Sequence, residues 1–186
     1  DIEEKYYIDP KYYDEYNVKR GLRNKDGSGV IVGLTRIGNV TGYIKEEEEI
    51  IPIEGKLRYR GIDINEIVDA IIKENRPGFE EVAYLLLFGK LPNEEELEKF
   101  RNLLDDNMEL PYGFKENMIL NAPSKDIMNK LARSVLVLYS YDDDPDNLEV
   151  KNIVRQSIEL IARFPVLIAY AYQAKCHYFD KKSLII

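Results

Sequence analysis

One cysteine, Cys176, and one histidine, His177, are all the thiol and imidazole this sequence possesses, and it has no tryptophan. A single thiol excludes an internal disulfide, which fits a reducing, cytoplasmic setting. One Cys and one His supply too few nitrogen and sulfur ligands for a zinc site. The two are sequence neighbours, and neighbours on a helix point about 100° apart, so they do not form a nucleophile–base pair. Packing near a helix end is the favoured reading for both. No apolar run approaches the roughly 20 residues of a membrane span. The acidic start, Asp1-Ile2-Glu3-Glu4, is expected of neither a secretory signal nor a transit peptide. Gly27-Ser28-Gly29 lacks both the P-loop Lys-Ser/Thr and a GxGxxG pattern. Basic charge is also scarce: 26 Lys and Arg stand against 34 Asp and Glu, for a net charge of −8. That balance, with no basic stripe, excludes a general nucleic-acid binder, while leaving room for a local anion pocket.

What is present is a soluble, globular composition, with 45% hydrophobic and 32% charged residues over 186 positions, enough for one domain with a real core. From Glu3 to Arg20 the chain is Tyr-rich and charged, which predicts a peripheral helix started or interrupted near Pro10. Gly21 to Gly29 reads as a turn-rich loop. Val30 to Ile37, Val40 to Ile44 and Ile50 to Tyr59 read as short strands, the last two flanking Glu46-Glu47-Glu48-Glu49. Four consecutive carboxylates cannot all face one ion, so that run predicts a solvated loop.

Beyond Ile62 the pattern turns helical. Asp63 with Glu66 has capping-box spacing before Ile67, Val68, Ile71 and Ile72, and Pro77-Gly78 ends that helix. Phe79 to Phe88 is apolar on nearly all sides after its first turn, which predicts burial, with Gly89 as a left-handed cap. Asn93 and Glu96 open a helix bearing Leu97, Phe100, Leu103 and Leu104 on one face. Leu110 to Gly113 and Ala122 to Ser124 are connectors. Ser124 is placed to cap a helix whose core stripe is Ile127, Met128, Leu131, Val135 and Leu138. The Asp142 to Asn147 loop has neither the alternating acids nor the central Gly of a calcium loop, so its acids are read as favouring the dipole of the next helix. That helix spans about Leu148 to Tyr172, with a kink expected at Pro165. The sum is a mainly α domain with a small β meander near its N-terminal side. It divides into an N-terminal helical arm (1–20), a loop with short strands (21–61) and a helical domain (62–186).

The 34 acids single out no carboxylate pair as catalytic, and solvated helix faces account for them. Anion-handling candidates are Arg23, Arg36, Arg58 and Arg60, in or beside Gly-rich turns where a guanidinium can meet a phosphate bidentately. Arg58 and Arg60, two apart on an expected strand, equally suit structural ion pairs. The structural reading is favoured for Arg60, and the two stand level for Arg23.

Several pieces in fixed order carry a family resemblance: Gly21-Leu22-Arg23, Gly55 to Ile64 around Tyr59-Arg60-Gly61, the run Gly78 to Leu97, Ile127-Met128, and Leu160 to Pro165 followed by Ala169-Tyr170. Together they resemble the N-terminal part of citrate synthases, from about Gly21 to Ile186. The resemblance implies a citrate-synthase-like large-domain fragment of a transferase in the tricarboxylic acid cycle, which condenses acetyl-CoA with oxaloacetate as a helical homodimer. It implies no tightly bound cofactor, acetyl-CoA being a co-substrate, and neither a nucleic-acid nor a membrane partner. In such enzymes an aspartate takes the proton from the acetyl methyl while histidines steady the developing oxyanions. Their motifs, His-x-x-His and Gly-Pro-Leu-His-Gly-Gly, do not occur here, so the resemblance transfers no catalytic residue and His177 receives none of those roles. The one contact it transfers is Arg23, facing the CoA phosphates of the partner subunit. Ser183-Leu184-Ile185-Ile186 is an aliphatic ending that suggests a truncated chain, and such a fragment is expected to be inactive alone. The alternatives are a fragment of a 2-methylcitrate synthase, which takes propionyl-CoA, and a non-catalytic helical dimerisation module.

Overall fold

The computed structural model describes residues 9–16, 21–23, 29–30, 35–46 and 49–185. The chain forms two compact units, Asp1–Arg36 and Ile37–Ile186. In the first, helix α1 (Lys11–Glu15) follows Pro10, and Asp9 Oδ1 accepts a hydrogen bond from the Lys11 N–H at 3.0 Å. Arg23 and Gly29 form an isolated antiparallel bridge. The expected helix over 3–20 is described only in this short piece, and most of the strand expected over 30–37 lies outside the described residues.

The second unit opens with a three-stranded antiparallel meander, β1 (Gly38–Glu46), β2 (Glu49–Tyr59) and β3 (Ile62–Asp63). Register runs from Gly38↔Tyr59 to Glu46↔Glu49 and shifts between Thr41 and Tyr43. Thr41 faces Lys56 and Tyr43 faces Pro52, so Ile53 to Gly55 stand against Gly42 alone and β2 bulges while β1 stays continuous. Tyr59 pairs with Ile62, leaving Arg60-Gly61 as a two-residue turn. Both have positive φ, +50° and +89°, as a twist-matched primed hairpin turn demands. Arg60 therefore sits in a turn, not on a strand sharing a face with Arg58 as the sequence suggested.

Five α-helices follow, and their ends obey local chemistry. α2 (Ile64–Glu74) is capped by Asp63, whose Oδ1 accepts from the Asn65 N–H at 3.0 Å, and the reciprocal Glu66 half of the expected box does not form. It ends at Asn75, left-handed at φ +49°, before Pro77-Gly78 is reached. α3 (Phe79–Phe88) closes on Gly89 at φ +80°, where the absence of Cβ removes the steric cost. α4 (Glu94–Asp106) carries the full Asn93–Glu96 capping box. After a π-helical turn, Lys115–Leu120, α5 (Ile127–Leu138) is capped by Asp126 through the Asn129 N–H at 3.0 Å. Ser124 instead accepts from the Asp126 N–H, preparing the cap rather than making it. α6 (Val150–Asp180) runs across exposed Pro165 and beyond the expected end at Tyr172, for 31 residues or about 46 Å. No helix of the described residues is long and apolar enough to cross a membrane.

Two cores lie along α6. Phe100 and Leu104 of α4 pack with Ile158 and Ala162, joined by Ala83, Tyr84 and Leu87 of α3. Further along, Leu167 and Ala174 pack with Phe114, Ile119 and Leu138. α3 is fully buried at Leu85 and partly covered from 80 to 87, and its two ends, Phe79 and Phe88, are exposed.

α5 also departs from its predicted stripe. Met128 is exposed, and the inward row is Lys130, Ser134 and Leu138. Lys130 is 1% exposed, and its ammonium donates to the Met118 carbonyl and, at 2.9 Å, to the Ala122 carbonyl. It thereby satisfies acceptors left open where the π turn ends. Ser134 donates back to the Lys130 carbonyl at 2.9 Å.

Burial, then nearby Arg133, pushes the Lys130 ammonium down to about 8. It is thus charged at neutral pH, and Lys130→Met, which strips the ion from two buried carbonyls, should cost about 2–4 kcal/mol in urea denaturation. Because the folded pKa is lowered, the unfolded chain holds this proton more firmly between pH 8 and the ordinary lysine value. Stability from this site therefore rises with pH across that window. The stability gap between wild type and Lys130→Met should widen from pH 8 to pH 10.

Candidate functional site

A concavity of about 620 Å³ lies where the first turns of α6 meet the 142–145 loop and the end of α5. Its polar wall is a ladder of paired charges. Arg155 Nη2 donates to both Asp142 oxygens at 2.7 and 2.9 Å, and Nη1 donates to Glu159 at 2.8 Å. Arg163 Nη1 donates to the other Glu159 oxygen at 3.0 Å and Nε to the Glu109 carbonyl at 3.2 Å. Gln156 bridges Asp142 and the Pro145 carbonyl, and Asn152 donates to the Asp144 and Asn147 carbonyls. The Asp144 N–H, followed by Gln156 and Arg155, holds the Asp142 carboxyl below the usual range. The Tyr139 hydroxyl donates to Asp146 at 2.7 Å, which raises its own pKa.

This arrangement fastens a loop. Both arginines have their charge matched by carboxylates, so an anion would have to displace Asp142 or Glu159 to reach them. Asp142, one of the loop acids expected to favour the helix dipole, instead meets Arg155 and Gln156, one to two turns into α6. That pairing is invisible to local sequence patterns, since Asp142 and Arg155 are thirteen residues apart. A smaller cleft of about 380 Å³ lies between the 108–116 segment and α6, where Lys115 sits 5.6 Å from the Tyr170 ring centre.

The residues singled out from sequence do not assemble into one centre. Cys176 is buried and His177 exposed, as successive helix positions require. His177 Nδ1 donates to the Lys182 carbonyl at 2.9 Å and its ring meets Tyr178 edge-on, so it closes the end of α6. Arg60 Nε and Nη2 donate to the Leu86 carbonyl at 3.2 and 2.6 Å, placing a cation at the C-terminal end of α3 and over Gly89. Arg60 is thus engaged by backbone, in place of the strand-face ion pair the sequence suggested. Arg58 is exposed on β2, opposite Asn39 and Asp63. Arg23 and Arg36 are exposed in the Asp1–Arg36 unit. Sequence reasoning missed Lys130 and the Asp142–Arg155–Glu159–Arg163 ladder. The only local signal was the Arg155–Glu159–Arg163 spacing of four. Among the described residues no group of three or more His, Cys, Asp or Glu is arranged to hold a metal.

A family model described as the citrate synthase C-terminal domain matches residues 26–184. The chain is 34% identical over 164 residues to a citrate synthase of Corynebacterium glutamicum, covering 82% of this chain and 36% of that protein. It is 30% identical over 159 residues to a citrate synthase of Saccharolobus solfataricus, covering 85% of this chain and 36% of that one. Among solved structures it is similar to the ternary complex of carboxymethyl coenzyme A and oxaloacetate with citrate synthase from Thermoplasma acidophilum. The TM-score there is 0.61 at 25% identity, over 80% of this chain and 35% of the other. The chain thus spans little more than a third of the length of these relatives.

Arg60→Met removes both donors from the Leu86 carbonyl. Chemical denaturation should register a loss of about 1–2 kcal/mol, because an acceptor at a helix end loses a charged partner.

Proposed function

The chain belongs to the citrate synthase family, and from that premise we propose that it is a scaffold portion of an enzyme condensing acetyl-CoA with oxaloacetate to give citrate and CoA. The observation carrying this reading is the family match over residues 26–184, on a fold shared with a relative captured with a CoA analogue and oxaloacetate.

The reaction removes a proton next to a thioester carbonyl and stabilises the enol oxygen that results. It needs a positioned carboxylate base and neutral donors aimed at that oxygen. In this chain the sole imidazole is engaged in closing α6, and the buried cation, Lys130, is engaged by two carbonyls. These engagements support a division of labour. The helices Phe79–Phe88, Glu94–Asp106, Ile127–Leu138 and Val150–Asp180 supply rigidity, and the proton-moving groups come from sequence that the longer relatives possess. In the whole enzyme, a cytoplasmic homodimer, Arg23 reaches the CoA phosphates of the partner subunit. Acetyl-CoA acts there as a co-substrate and not as a resident cofactor.

Release of CoA thiol from acetyl-CoA and oxaloacetate, followed with a thiol-reactive chromophore, tests the reading. The 186-residue chain should give no release above background, and a protein extended to the relatives' length should turn over. In that longer protein Arg23→Ala should raise KM for acetyl-CoA severalfold with kcat little changed. Turnover by the 186-residue chain itself would overturn the division of labour.

A further inference from the structure

The π turn Lys115–Leu120 has a packing reason. Its hydrogen bonds span five residues where an α-helix spans four, and one of them runs from the Asn121 N–H to the Glu116 carbonyl at 3.0 Å. Phe114 and Ile119 stand five apart in sequence, and both are fully buried in the core that Leu138 and Leu167 share. In an α register five residues turn about 500°, which leaves such a pair about 140° apart around the helix. A π turn closes over five residues and returns both side chains to one face.

The same register costs a hydrogen bond. Two steps beyond Glu116, the Met118 carbonyl would accept from the residue five further on, which is Pro123, and proline has no N–H. Among the described residues no backbone N–H donates to the Met118 carbonyl. Pro123 also keeps Ala122 out of the α region, so the helix stops there and the Ala122 carbonyl has no helical donor. Lys130, one turn into α5, reaches back and donates to both carbonyls. We infer that the Lys130 ammonium stands in for the amide hydrogen that Pro123 lacks, and that the two residues act as one latch holding 115–120 in the π register. Without Pro123 the ammonium would meet a carbonyl already bonded, and without Lys130 the proline would bury a carbonyl with no donor.

Charge pairing gives no other reason for a cation at this place. Arg133 is the charged neighbour that acts on the ammonium, and it repels. The remaining charges on the surrounding elements are engaged elsewhere. Lys115 and Glu116 of the π turn pair with each other at 3.4 Å, and Asp126 caps α5 through the Asn129 N–H. Lys125 lies over the Phe179 ring, and Lys175 of α6 pairs with Asp180 at 2.7 Å. Two backbone carbonyls are therefore what holds Lys130 inside. The latch also has an outward consequence. Lys115, the first residue of the π turn, lies 5.6 Å from the Tyr170 ring centre in the wall of the 380 Å³ cleft, so the register fixed behind the turn sets that wall.

A double-mutant cycle in the 186-residue chain, followed by urea denaturation, measures whether the two residues act as one. Lys130→Met alone should raise the unfolding equilibrium constant by about thirtyfold or more. Pro123→Ala supplies an N–H at position 123. In that background the effect of Lys130→Met should shrink by about tenfold, the coupling expected of partners in one hydrogen-bond network. Hydrogen exchange gives a second reading in which Lys130 is retained. The amide that Pro123→Ala creates at position 123 should exchange about tenfold or more slowly than an unbonded amide, because it meets the Met118 carbonyl. If Lys130→Met does not fold alone, recovery of the fold on adding Pro123→Ala is the expected result, and failure to recover counts against the latch. Equal effects of Lys130→Met in both backgrounds, or free exchange of the new amide, would overturn it.

Discussion

Residues 150–180 form one helix that has to fill two hydrophobic cores at once. Near its start Ile158 and Ala162, one turn apart, close the core that Phe100 and Leu104 build. Further along, Leu167 and Ala174, two turns apart, close the core around Phe114 and Ile119. The small side chains at 162, 171 and 174 are all buried, and they let neighbouring helices come close where larger residues would hold them off. Burying a residue such as Leu167 or Ile119 contributes about 1.5–3 kcal/mol, so each core draws a large share of its stability from the same helix. Anything that shifts this helix disturbs both.

Polar chemistry then fixes how the connectors meet that spine. The 142–147 loop is tied by Asn152, Arg155 and Gln156, and the 108–111 connector by Arg163 reaching the Glu109 carbonyl. The connector between the π turn and the Ile127–Leu138 helix is held by a buried ammonium from Lys130. The buried Lys130 satisfies acceptors that irregular backbone would otherwise leave open where water is scarce, while the Arg155 and Arg163 ties lie at the surface. What the fold presents is a braced frame, and the aligned segment spans about 36% of the length of the citrate synthases it resembles.

Much of this was legible in the residues. The Asn93–Glu96 box, the Gly89 stop, the strands flanking the Glu run and the family likeness all rest on short-range signals, which act within one or two turns of chain. Where the reading failed, distance was the reason. Phe79 to Phe88 was expected to be buried, yet burial depends on which helices lie beside it, and only Leu85 is fully covered while both ends are exposed. Lys130 sits on the inward face because carbonyls 8 and 12 residues back await it, a fact no periodicity encodes. Asp142 was assigned to a helix dipole because its true partner, Arg155, lies beyond the window of a capping rule. For the candidate site, residue counts argued against a zinc site and for packing roles of Cys176 and His177, but the ladder on the 150–180 helix needed three dimensions.

If that helix is the shared spine, the two cores cannot melt independently. Calorimetric unfolding of the wild type and of Phe100→Ala and Ile119→Ala, one truncation in each core, tests this directly. A single transition for the Ile37–Ile186 unit, moved to lower temperature by either substitution, is the expected result. Two resolved transitions, each responding only to the truncation in its own core, would contradict it.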